Sequence, residues 1–173
     1  MQITPQRFSI ATGELPYLRL VDVARKIFGD ILTHTPVTFF GVNLQLHFDL
    51  ESFDRRTALG RSLAPTEPWT KWGKRLNSDD PQRVGGMRTL TMEESRPSGR
   101  SPGSYRRVQI EPSLKPGLER SGVFMAINDH FACAESPSTG LIVKTLQENF
   151  DQSIEMSRTI VSDMMTFASK LIV

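Results

Sequence analysis

The sequence predicts an α+β fold. It implies an antiparallel, or mixed, sheet of about five strands, with helices packed on one face and a long C-terminal helix. Three observations carry that prediction. Residues 37–50, VTFFGVNLQLHFDL, alternate strictly: Phe40, Val42, Leu44, Leu46, Phe48 and Leu50 fall on one side, Gly41, Asn43, Gln45, His47 and Asp49 on the other. A strand points successive side chains to opposite faces, so this pattern describes a sheet with one apolar and one polar face. Residues 87–128 then hold three strand-like segments in succession, which favours antiparallel pairing. From Thr139 to residue 172, no proline occurs and no glycine follows Gly140, while apolar residues recur at spacings near four.

Taken in order, the elements read β-α-β-α-β-β-β-α. Phe8 and Ile10 alternate with Arg7, Ser9 and Ala11 in a short first strand that Gly13 breaks. Pro16 suits the first turn of a helix, where its missing N–H is not needed. Leu20, Ala24, Ile27 and Ile31, widened by Val23 and Phe28, give that helix an apolar stripe, and it stops near Thr33 because the residue before Pro36 resists helical dihedrals. The alternating strand of 37–50 follows. Ser52 caps a second helix whose inner face is Phe53, Ala58, Leu59 and Leu63, ended by Pro65 and Pro68.

Residues 64–86 read as a long irregular crossing that holds both tryptophans, Trp69 and Trp72. The segments 87–94 and 105–111 pair, with Leu90 and Met92 matching Val108 and Ile110 as inward positions. Their link, residues 95–104, is almost all Ser, Arg, Pro and Gly, a composition that buries little and predicts a flexible hairpin tip. Residues 123–128, VFMAIN, are apolar on both faces and fit a central strand. In the final helix, Leu146, Phe150, Ile154, Val161, Met165, Ala168 and Ile172 form one stripe, with Ser157 filling a place. Ile160, Met164, Phe167 and Leu171 widen its second half. Such a helix is about 50 Å long and outruns a sheet of ordinary strands, so part of it covers something else or it breaks.

Composition narrows the function classes. The 173 residues, 38% hydrophobic, suit one well-buried domain spanning 1–173. A formal charge of +2 does not force a nucleic-acid or membrane role, yet residues 55–107 hold twelve Lys and Arg against five Asp and Glu. No apolar run approaches the ~20 residues of a membrane span. The single Cys133 supplies neither a disulfide framework nor a metal cage. A reducing, cytoplasmic setting is therefore expected, and the N-terminus lacks the layout of a signal peptide.

The candidate sites follow from residue type and placement. His47 lies on the polar face with Asn43 and Gln45, a candidate ligand-binding set. Asp129 and His130 end the central strand, and His47, Asp129 and His130 are the weak candidates for acid–base catalysis. Adjacent residues of a regular strand point to opposite faces, which counts against that pairing. His34 suits a helix end. No metal set and no cofactor motif emerges, and Cys133 reads as a structural thiol. Arg88, Arg96, Arg100, Arg106 and Arg107 gather on one hairpin near the tryptophans, a pattern suited to single-stranded nucleic acid. Trp69 and Trp72 also suit a protein contact, and Met164, Phe167 and Leu171 offer a second apolar strip to a twin subunit.

The segments GVNLQLHF, ALGRSLAPTEPW, GMRTLTME, RVQIEPS and GVFMAINDHF together resemble a group of small bacterial proteins with no assigned activity. The resemblance runs from Gly41 to Phe131 and loosely through the final helix. It implies a bacterial, full-length, single-domain protein and transfers no catalytic residue. The expectation is a protein-interaction or assembly module that self-associates as a homodimer, rather than an enzyme. The alternatives are a nucleic-acid accessory protein using residues 88–107, and a ligand binder or enzyme with a pocket on the polar face of 37–50.

Overall fold

The alternating segment forms strand β3 (Phe39–Asp49), the longest of the sheet together with β6 (Gly122–Ala132). A computed structural model describes residues 1–4, 6–78, 84–133 and 139–171. Within them, β4 (Leu90–Ser95), β5 (Tyr105–Pro112) and β6 run as a meander, and β3 lies beside β6, giving the antiparallel order β3-β6-β5-β4. This is a Greek-key connection: the chain leaves β3 at one edge and returns as β4 at the other.

The fold is α+β as expected, and the main sheet's four antiparallel strands are close to the expected five. The segment expected as the first strand forms a separate hairpin, β1 (Gln2–Thr4) with β2 (Arg7–Ser9), because three residues on each side suffice only for a local pairing. Helix α1 (Leu18–Arg25) follows and continues as one π-helical stretch, Lys26–Ile31. Helix α2 (Phe53–Leu63) starts at Ser52, whose Oγ accepts the Arg55 N–H at 3.1 Å. A cap of this kind is worth ~1 kcal/mol.

The stretch 64–86 is less irregular than its prolines and glycines imply. It contains a 3₁₀ turn, Glu67–Trp69, and a helix α3 (Thr70–Leu76). Gly73 is there because α3 crowds back onto Thr66: a Cβ at Gly73 would lie 1.9 Å from the Thr66 carbonyl oxygen. Residues 79–83 of that stretch, and Ile172 of the expected helical stripe, lie outside the described residues.

Helix α4 (Thr139–Ser169) does not break. At 31 residues it is about 46 Å long, and its two halves cover different things. The C-terminal half packs Val161 and Ala168 against Phe48, Ile110, Val123, Met125 and Ile127 on one sheet face, joined by Leu59 from α2. The N-terminal half puts Phe150 and Ile154 against Phe40, Val42 and Phe131 and against Val21 of α1. Both clusters use the side of the sheet that the alternation of β3 marks as apolar. Leu59 keeps only 1% of its surface, a burial worth roughly 1.5–3 kcal/mol. Among the described residues, no helix is long and apolar enough to cross a membrane.

Candidate functional site

The polar face of the sheet places the predicted residues at opposite ends. Antiparallel register sets Gly41 against His130, Asn43 against Asn128 and His47 against Phe124. His47 and His130 are thus six ladder positions apart, roughly 20 Å. His47 Nδ1 is hydrogen-bonded to Ser113 Oγ at 2.8 Å, and its ring leans on Phe124. His130 stacks on Tyr105 with ring centroids 4.5 Å apart and also meets Phe39. Burial, then the charge of Arg107, hold the His130 imidazole below its usual value, which keeps it neutral near pH 7. Asn43 accepts a hydrogen bond from the Asn128 amide, while Gln45 lies opposite Ala126.

Asp129 does not join them, because it points to the helix-covered side. There it is fully buried, receiving Arg100 in a two-point ion pair whose Nη2–Oδ2 contact is 2.7 Å. Ser153 of α4 donates to Oδ2 at 2.7 Å, and Arg106 approaches the same oxygen at 3.4 Å. Burial pushes the carboxyl up, but the hydrogen bonds from Arg100 and Ser153 and the two guanidinium charges outweigh it. The carboxyl sits below its ordinary value. Arg100 comes from the stretch 95–104, so the tip expected to be flexible is tied at this point to the core. Its guanidinium also lies over Phe131, 3.8 Å from the ring centre.

Two of the other hairpin arginines are also engaged with carboxylates. Arg106 meets Glu94 at 3.0 Å and Arg107 meets Glu93 at 2.7 Å. The Arg96 Nε donates to the Arg100 carbonyl, and Arg88 is exposed. Trp69 and Trp72 form an edge-to-face pair 5.2 Å apart, each more than half exposed. Of the apolar strip expected to meet a twin, Met164 and Leu171 pack onto the core instead, and Phe167 remains exposed. Cys133 is half-buried, and burial raises its thiol above the usual value. Among the described residues, no three His, Cys, Asp or Glu side chains are placed to hold a metal ion.

A different feature, absent from the predicted set, is the outer edge of β3. The Thr38 carbonyl accepts from Cys133 N–H, and Leu50 N–H donates to the Ser121 carbonyl. In an antiparallel ladder a residue sends both backbone groups to the same side, and successive residues alternate. Even-numbered residues of β3 therefore bond to β6. Phe39, Gly41, Asn43, Gln45, His47 and Asp49 aim their N–H and C=O groups outward, where the sheet has no further strand among the described residues. Beside this edge, Leu44 and Leu46 join Arg158, Val161, Ser162, Met165 and Thr166 of α4 in lining an open, mainly apolar groove of about 380 Å³. The same alternation that reveals β3 as a strand could not reveal it as an edge, because strand order depends on pairings distant in sequence. No family model, curated protein or solved structure matches the chain.

Proposed function

We propose that this protein is a non-enzymatic protein-interaction module that assembles through the outer edge of β3. One observation carries the reading: eleven residues of edge strand without proline, lysine, arginine or bulge, next to an apolar groove. Proteins that keep an edge out of use shorten it, charge it, bulge it or cover it. Strand addition at a bare edge supplies backbone hydrogen bonds for affinity, and pockets beside it supply selectivity. The scattered histidines and the engagement of Asp129 with two arginines support interaction over catalysis. The ion pairs of Arg100, Arg106 and Arg107 leave the hairpin less charge to offer a nucleic acid.

Gln45→Pro tests the reading. Gln45 directs its N–H outward, so proline there removes an edge donor while sparing the ladder with β6. Light scattering on the full chain is expected to give a mass above the monomer for the parent and a monomer for the variant, with unchanged circular dichroism. A parent that stays monomeric at all concentrations, or a variant that assembles as the parent does, contradicts the proposal.

A further inference from the structure

The geometry points to a second copy of this chain as the occupant of the β3 edge, paired antiparallel on a two-fold axis through Leu44, so that two four-stranded sheets become one of eight strands. This rests on the reading of that edge as a docking strand and names its partner. The argument is one of self-complementarity. An isologous contact sets a surface against itself, so every residue must tolerate its symmetry mate. In an antiparallel ladder, directly opposed side chains lie on the same face. Pairing centred on a residue therefore sets the apolar side of β3 against the apolar side of its copy.

Centring on Leu44 uses the whole strand. Leu44 meets itself, Val42 meets Leu46, and Phe40 meets Phe48 on the side that carries the helices. This prolongs the groove formed by Leu44, Leu46 and Met165 into the same groove of the second copy. On the other side, Asn43 meets Gln45, amide to amide, and Gly41, with no side chain, leaves room for the imidazole of His47. Those opposed pairs are outward-directed residues on both copies, as a ladder of backbone hydrogen bonds requires. The only formal charge on the strand is Asp49, and it falls opposite Phe39. The two Asp49 carboxylates then stand about 34 Å apart and do not repel. A centre on Asn43 or Gln45 instead loses pairs at one end and opposes like amides.

Cysteine pairing reads this register. In full-length protein carrying Cys133→Ala, Asn43→Cys and Gln45→Cys are made separately; both sites are exposed, so neither change opens the core. Opposed residues of an antiparallel pair lie about 5.5 Å apart at Cα, within the reach of a disulfide. Under mild oxidation, the mixture of the two variants is expected to give covalent dimer at least ten-fold in excess of either variant alone. Dimer from Asn43→Cys alone, or from Gln45→Cys alone, moves the axis to that residue and overturns the Leu44 register. No cross-link in any arm, with assembly still lost in Gln45→Pro, overturns the second copy in this pairing while leaving the docking edge intact. No cross-link together with a monomeric parent removes both.

Discussion

The two edges of the sheet are built on opposite principles. At β4, six residues carry Glu93 and Glu94 in succession, each held by an arginine of β5, and the strand is followed at once by Arg96, in a left-handed conformation, and the buried Pro97. Charge, brevity and proline all discourage another strand from adding there. At β3, eleven residues run without proline, lysine or arginine, and the one formal charge, Asp49, stands at the last position. The ion pairs do not stop at β4, because Arg106 links Glu94 on the rim to Asp129 beneath α4. One side of the molecule is locked by electrostatics and closed to pairing. The other is held by apolar contacts and left open. The difference fits a stability role for the arginine-rich hairpin and the association role proposed for β3.

Breaking the locked side gives the largest expected effect. Asp129→Ala leaves Arg100 and Arg106 facing a buried vacancy, and loss of one member of a buried pair costs about 3–5 kcal/mol. Urea unfolding measures it, and a loss below about 1 kcal/mol would show that the network holds little. The same carboxyl sets a pH dependence. Its folded value lies below the unfolded value near 3.8, so its contribution is complete above that pH and is lost as the pH falls through the lowered value. Asp129→Asn should flatten the acid side of the stability curve.

At the rim the effect is small. Arg107 and Glu93 are both substantially exposed, and an exposed pair contributes ~0–1 kcal/mol. Glu93→Ala should therefore unfold at nearly the parent's urea midpoint and leave the assembly mass unchanged. A large stability loss would mean that the rim pair and the buried pair act as one unit.

Much of this architecture is legible in the sequence where a regular period carries it. The alternation of β3 identifies its apolar side, and the stripe of α4 identifies Phe150, Ile154, Val161 and Ala168 as buried. Met165 fits the stripe equally well yet is 46% exposed, because there the helix overhangs the groove beside β3. The Arg100–Asp129–Ser153 network was not legible as a unit. Its members lie 24 and 29 residues apart, and no local pattern joins them. A trace does exist: an aspartate on the covered side of an apolar strand, and serines 153 and 157 on the inner side of a helix, are polar residues where the period asks for apolar ones. For the candidate site, the sequence shows which residues face which way but not that β3 is outermost.

Residue-resolved hydrogen exchange along β3 tests the central claim most directly. Amides of Phe40, Val42, Leu44, Leu46 and Phe48 are bonded to β6 in any state and serve as internal controls. At assembling concentrations, the amides of Gly41, Asn43, Gln45 and His47 should exchange as slowly as those neighbours, and on dilution every second amide should become fast. Alternating fast and slow exchange that persists at high concentration would contradict the account.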